Sequence, residues 1–300
     1  MKEIRITKPH DNHQTVTEHT IAEIKAKGLN RFMGWACTVG LECLYIDFDG
    51  MVWRGPCRVG RPLGHMLTDW QLPETMAKCT RQTCDCGTGI KLVKFSPDYR
   101  ADPIEEQVFN VQWDLGRRCN YDCSYCWPSS HNKTDTWLPF KALKKVVDKI
   151  FENYEGKMQF NFAGGEPTLH PEFLELCTYI WEKGHNIHVQ TNGTMNVIKA
   201  RKLANIAEIS ISVHFEFVNY EKLINNIRAI LSAGNRLEVK MMIDSTNKSF
   251  YAALDFKRYL ENIPHIQLAR VIMSPLRDPV TNDLMNYTEW QRGHFGDVEF

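Results

Sequence analysis

From residue 107 onward the chain alternates short apolar-rich runs with longer stretches of helical period. Strand-like runs are expected at 107–113, 157–163, 186–191, 208–216, 237–243 and 266–273. Helices are expected between them, at 140–151, 171–183, 196–204, 220–233 and 249–260. Phe140, Leu143, Val147 and Ile150 define the apolar face of the first, and Tyr220, Leu223, Ile227 and Ile230 that of the fourth. Alternation of this kind predicts a parallel sheet built from right-handed crossovers. Within several strands apolar and polar residues also alternate. Ile209, Ile211, Val213 and Phe215 face one way, and Ser210, Ser212, His214 and Glu216 the other. Leu237, Val239, Met241 and Ile243 oppose Glu238, Lys240 and Met242, and Ile187 and Val189 oppose His188, Gln190 and Asn192. Parallel strands buried on both faces read as continuous apolar runs. These strands therefore predict a curved, partly closed barrel, with helices against the apolar side and a polar, wet or ligand-filled lumen.

The rest of the chain has a different texture. Residues 1–33 are polar, with one helical candidate at 17–27, and read as a packing arm. Residues 34–92 hold Cys37, Cys43, Cys57, Cys79, Cys84 and Cys86, with a hairpin expected over 44–54 and its turn at Asp49 and Gly50. So many thiols in a short loop-rich segment compensate for a small core by binding metal. Residues 93–106 are charged, contain Ser-Pro and Asp-Pro, and read as a linker into a core at 107–275; the tail, 276–300, carries no legible signal. Lys+Arg and Asp+Glu balance at 36 each, which argues against nucleic acid or an anionic membrane as partner. No apolar run suits a signal peptide or a membrane span, and clustered thiols then indicate metal in a reducing, cytosolic compartment.

The chemistry centres on Cys119, Cys123 and Cys126. Three thiolates so spaced can hold three corners of a cubic iron–sulfur cluster and leave one iron without a protein ligand. A four-cysteine zinc site has no such vacancy. The bland alternatives are a zinc knuckle or reduced core thiols. At the end of the second strand, Gly164, Gly165, Glu166 and Pro167 form a turn whose glycines permit close backbone approach, on the side where barrel sites lie. Cys177 sits in a helical pattern beside Leu174 and Ile180 and reads as a core thiol.

The thiol spacing, with Tyr125 just before the last cysteine, resembles the signature loop of the radical S-adenosylmethionine (radical SAM) enzymes, whose cores are partial (β/α)6 barrels. The resemblance covers about residues 107–273. It implies a [4Fe–4S] cluster with an open iron, at which S-adenosylmethionine is reductively cleaved to a 5′-deoxyadenosyl radical. That radical abstracts hydrogen from a substrate, and an electron donor such as a flavodoxin or ferredoxin is implied. Gly164, Gly165 and Glu166 resemble the motif that holds the cofactor's amino group, by backbone carbonyls and the Glu166 carboxylate. Gln190, Thr191, Asn192 and Gly193 resemble a motif of members carrying SPASM segments. Gln190 and Asn192 then face cofactor or substrate, Ser212 and His214 lie where relatives contact the ribose, and Lys240 either meets the methionyl carboxylate or pairs with Glu238. The segment 34–92 resembles SPASM or twitch segments, with the order relative to the core reversed and an unusual spacing at Cys79, Cys84 and Cys86. Its six thiols exceed the four one auxiliary [4Fe–4S] cluster needs; structural zinc is the alternative. The substrate implied is a peptide or protein side chain, with a nucleobase or small metabolite as the runner-up and a non-catalytic iron–sulfur or zinc module as the reading from another class.

Overall fold

The computed structural model describes residues 4–7, 16–95, 108–127, 131–281 and 283–295. These divide into two compact units. The first runs to Ile46 and resumes from Gly50 to Gln112, and the second comprises Asp47–Asp49 and the chain from Trp113.

In the first unit, Ile4–Thr7 pairs antiparallel with Val16–His19. The helix expected over 17–27 is therefore shorter, Ile21–Ala26. The Thr20 hydroxyl accepts from the Glu23 amide while the Glu23 carboxylate accepts from the Thr20 amide. This reciprocal cap sets the start, so residues 17–19 are free to be strand. The expected hairpin is present. Tyr45 is opposite Trp53 and Ile46 opposite Val52, and Gly50 takes the left-handed turn position at φ +74. Lys94–Phe95, grouped with the linker on composition, pairs with Ala36–Cys37. The remainder of the linker, from residue 96, lies outside the described residues.

β1 (Phe109–Asp114) leads into the second unit. There α1 (Phe140–Asn153), β2 (Met158–Ala163), α2 (Phe173–Glu182), β3 (Asn186–Thr191), α3 (Val197–Ala204), β4 (Glu208–His214), α4 (Tyr220–Ser232), β5 (Leu237–Ile243), α5 (Asn247–Leu260) and β6 (Ala269–Pro275) follow in order. Strands β2 to β6 pair in parallel, in chain order. Asn196, Asn219 and Thr246 cap α3, α4 and α5 through their side chains, which places each start. Residues 266–268, expected as the start of β6, are instead a 3-10 turn.

The alternation in the strands translates directly into burial. Ile187, Val189, Ile209, Ile211, Val213, Val239 and Met241 are buried, as are the helix residues Leu143, Val147, Leu176, Ile227 and Ile230. Cys177 is fully buried, and burial raises its thiol pKa, consistent with a core role. On the polar side, a ladder crosses four strands. His188 Nε2 is 2.8 Å from Ser210 Oγ, which donates to Glu238 at 3.1 Å. Glu238 also receives Lys240 at 2.9 Å and Arg270 at 3.3 Å. Burial opposes ionisation of Glu238, but Lys240, Ser210 and Arg270 together hold its carboxyl below the usual range. One layer of the polar face is thus satisfied by protein alone. Beyond β6 the chain packs back. Tyr287 donates to the Ile243 carbonyl at 2.6 Å and accepts from the Leu276 amide at 2.7 Å, and Phe250 meets Trp290 and Phe295. Among the described residues no helix is long and apolar enough to cross a membrane.

Candidate cluster and cofactor site

Everything at this site hangs on how the chain leaves β1. The Leu115 amide donates to Ala163 O at 2.9 Å, the Gly165 amide to Gly116 O at 2.8 Å, and the Glu166 amide to Arg118 O at 2.9 Å. The entry to the cysteine loop is therefore pinned along the end of β2. A side chain has no room there. A Cβ on Gly165 would lie 2.5 Å from both Arg117 O and Arg118 O, and one on Gly164, at φ +126, 2.6 Å from Gly116 O. The glycines are explained by this neighbouring backbone even before any ligand is considered. Gly165→Ala should push the loop entry away and lower both iron retention and stability, the latter by at least about 1–3 kcal/mol. Iron content and urea unfolding of the variant check this, and a wild-type iron content would refute it.

The loop then closes on itself. The Cys119 amide donates to Asn132 O and the Asn132 amide to Arg117 O, both at 2.8 Å. The Tyr121 amide donates to Cys119 Sγ at 3.4 Å. Two residues just beyond β4 and one within it grip the loop's middle. Glu216 accepts from the Ser124 amide at 2.8 Å and from its hydroxyl, Tyr121 stacks on Phe217, and Tyr125 stacks on His214 with its hydroxyl 3.0 Å from Nδ1. Burial holds the His214 imidazole down to about 4, although Glu216 pulls it up.

His214 therefore takes its proton later in the folded than in the unfolded protein, whose value is near 6.5. The sign follows: metal-free protein loses stability as pH falls from about 6.5 through 4, by up to about 3 kcal/mol from this residue, and nothing above that window. Comparing urea unfolding at pH 7 and pH 5 in wild type and His214→Gln measures the share. An equal loss in both proteins would exclude His214 as its source.

The thiols of Cys119, Cys123 and Cys126 line one cavity of about 190 Å³, together with Gly164, Gly165, Gln190, Asn192, Ser212 and His214. Burial pushes the Cys119 thiol up and the Cys123 thiol to about 12, so metal must displace protons here. Asn192 sits beside Cys119, its Nδ2 3.9 Å from the sulfur and 2.9 Å from Asn120 Oδ1. Three cysteines share this lining with two glycines and small polar groups, which is the donor set of a three-thiolate cluster. Among the described residues, however, no three His, Cys, Asp or Glu side chains are already grouped to hold a metal ion. A larger hollow of about 510 Å³ lies between α1 and α2, but Phe140, Leu174 and three glutamates line it and no thiol does.

Two of the expected cofactor contacts lie off this lining. Glu166 does not line the cavity: it is fully buried, and its carboxylate accepts from the Thr168 amide at 3.0 Å, the Thr191 hydroxyl at 2.7 Å, the Asn192 amide at 2.6 Å and the Thr168 hydroxyl. Burial pushes this carboxyl up while those donors pull it down. Three of these donors meet Oε1 and one meets Oε2, so the carboxylate braces the end of β2 against the end of β3. Lys240 also lies off the cavity, paired to Glu238 as its alternative reading had it. Tyr125, not itself on the lining, touches two residues that are, His214 and Cys123. Sequence reasoning missed Tyr121 and His131, both on the lining. Tyr121 lies inside the thiol loop and was open to inspection there, whereas His131 follows it with no spacing signal.

The six remaining metal candidates occupy the first unit. Cys37 and Cys43 belong to an apolar group with Val39, Val59, Ala77 and Leu92, against which Cys57 packs. Cys43 is completely enclosed, and its thiol donates to Arg54 O at 3.3 Å. Burial pushes it up to about 12 and also raises Cys37 and Cys57. Cys86 caps the helix Gly87–Lys91, its sulfur accepting from the Gly89 amide at 3.0 Å. A hydrogen bond from Cys84 is the main reason the Cys86 thiol falls to about 6, and the same bond raises Cys84. A Cβ on Gly89 would lie 2.7 Å from the Cys86 sulfur and 2.9 Å from that of Cys84, so the glycine gives both sulfurs room.

Comparison with known proteins bears on the second unit. Residues 113–248 match the model of the Radical SAM superfamily. They form a radical SAM domain. Among curated relatives, the chain is 28% identical over 135 residues to an S-adenosylmethionine-dependent nucleotide dehydratase of Selenomonas ruminantium, covering 42% of this chain and 47% of that one. It is 28% identical over 114 residues to the antilisterial bacteriocin subtilosin biosynthesis protein AlbA of Bacillus subtilis, covering 37% and 25%. With a GTP 3′,8-cyclase of Haemophilus ducreyi it shares 26% over 180 residues, covering 55% and 52%. The chain thus spans about half or less of these relatives. Among solved structures, Streptococcus suis SuiB bound to S-adenosylmethionine aligns at a TM-score of 0.47 and 14% identity, over 60% of this chain and 44% of that one. The radical SAM domain includes all three loop cysteines and the strand ends of β2, β3 and β4 that face them.

Proposed function

We propose that this protein is a radical SAM enzyme in which Cys119, Cys123 and Cys126 hold a [4Fe–4S] cluster and S-adenosylmethionine binds beside it. The convergence of these three thiols with Gly164, Gly165, Gln190, Asn192 and Ser212 on one cavity carries this reading. When bound, cluster and cofactor supply a 5′-deoxyadenosyl radical that takes hydrogen from a substrate C–H bond. The chain's own work is binding and orientation, as for cofactor enzymes generally. The Gly164 and Gly165 backbone receives the ammonium end of the cofactor; Gln190, Asn192 and Ser212 offer it hydrogen bonds. Glu166 keeps Asn192 in place, and the Tyr121 amide donates to Cys119.

A second metal site in the first unit belongs to the same proposal. Cys57, Cys79, Cys84 and Cys86 are the ligands we assign, with Cys37 and Cys43 left as core thiols of the apolar group against which Cys57 packs. The SPASM-like pattern favours an auxiliary [4Fe–4S] cluster; structural zinc is the competing content. A flavodoxin or ferredoxin would supply electrons, in the cytosol.

For the substrate, the SPASM-like pattern and the likeness to AlbA favour a peptide or protein side chain. The nucleotide dehydratase and GTP cyclase among the relatives favour a nucleotide-like metabolite as the second reading. Anaerobically purified protein given dithionite and S-adenosylmethionine should release 5′-deoxyadenosine, and the Cys119→Ala variant should not. Release by both would place the chemistry elsewhere. Untargeted mass spectrometry of peptides and metabolites from cells with and without the gene separates the two substrate classes.

A further inference from the structure

The cavity contains one group that the proposed function leaves without a task. His131 lines it alongside the three thiols. The chain carries this residue back to the head of the loop, because its neighbour Asn132 accepts from the Cys119 amide and donates to Arg117 O, each at 2.8 Å. Its Nε2 lies 2.8 Å from Asp122 Oδ1, and its side chain is only 14% exposed. A carboxylate can only accept, so this contact puts the proton on Nε2 and leaves the Nδ1 lone pair of a neutral imidazole free. That Nδ1 is buried and has no hydrogen-bond partner among the described residues.

Anchoring the loop to Asp122 needs Nε2 alone and does not account for the other nitrogen. A buried acceptor without a partner is costly, which makes it uncommon unless something else binds it. Imidazoles that bind metal have this arrangement, with one nitrogen on the metal and the other N–H held by a carboxylate. The other histidine on the lining, His214, has its Nδ1 engaged by the Tyr125 hydroxyl.

We propose that His131 is a reversible fourth protein ligand of the cluster, with Nδ1 on the iron that the three cysteines leave open until S-adenosylmethionine displaces it. This rests on the cluster assignment made above. The exchange breaks one nitrogen–iron bond and forms bonds from the cofactor; no electron moves, and the imidazole stays neutral with its proton on Nε2. In the resting protein the exchangeable iron is shielded, and His131 competes with the cofactor for it. The apparent cofactor affinity is then lowered by the fraction of protein in the histidine-bound state.

The test uses the full chain, loaded with iron and sulfide anaerobically, labelled with nitrogen-15 histidine and reduced with dithionite. Pulsed EPR should show a strong nitrogen-15 coupling from a directly bonded imidazole. Adding S-adenosylmethionine should abolish it. The coupling should be absent in His131→Ala, which should retain its loop cluster and bind S-adenosylmethionine more tightly than wild type. A loop cluster that responds to S-adenosylmethionine but shows no such coupling in wild type overturns the role of His131 alone. So does a coupling that persists in His131→Ala. If that variant fails to load, the wild-type spectra with and without cofactor still decide. Absence of any cluster dependent on Cys119, Cys123 and Cys126 overturns the cluster assignment, and the inference with it.

Discussion

Replacing Cys119, Cys123 and Cys126 together with Ala should remove one cluster, about four irons, and abolish 5′-deoxyadenosine formation. The three thiols line the same cavity, and none of the other polar groups on its lining would replace three soft anionic donors. What remains in the variant reads out the first unit. If Cys57, Cys79, Cys84 and Cys86 hold an auxiliary cluster, wild type carries about eight irons and the variant about four. If they hold structural zinc, the variant carries almost no iron and one tightly bound zinc. Metal analysis of the variant therefore tests both sites at once. Iron equal to wild type would remove the loop assignment, and zinc in place of residual iron would remove the auxiliary cluster.

Glu166→Ala should be the most damaging single substitution outside the thiols. Four donors from Thr168, Thr191 and Asn192 converge on a carboxylate that is fully buried. Removing it strands those donors, each at about 1–3 kcal/mol, so a loss of at least about 3 kcal/mol is expected. That is a large fraction of a typical domain's stability. Glu166→Gln keeps the shape but turns one acceptor into a donor facing other donors, and should fall in between. The same pair of variants separates two roles. A brace loses stability and cofactor affinity together, because Asn192 moves when its amide is released. A direct contact to the cofactor's ammonium would lose affinity in Glu166→Gln with stability intact, and that outcome would overturn the brace.

How far the sequence could be read depends on the distance over which each signal acts. The strands and helices of the second unit were legible because apolar periodicity and capping residues act over a few positions; the Thr246 cap starts α5 at Asn247, and the expected start of β6 is instead a 3-10 turn without a side-chain cap. The polar lumen was legible for the same reason. That His188, Ser210, Glu238, Lys240 and Arg270 would satisfy each other in a ladder was not, since the ladder runs across strands whose register only the folded sheet sets.

The sequence by itself determined the order of βα elements, the three thiols of the loop and the strand-end glycines, all patterns of short spacing whose meaning survives without coordinates. Only the tertiary structure decided what the charged and polar groups do. Glu166 turns inward because Thr191 and Asn192, at the end of the next strand and just past it, bring their donors to it. Lys240 is committed because Glu238, on the same face of β5, lies 2.9 Å away. His131 enters the cavity because Asn132 pairs with the backbone on both sides of Arg118. A hydrogen-bonding group's role is set by whichever partner reaches it first, and those partners come from chain segments that only folding brings together.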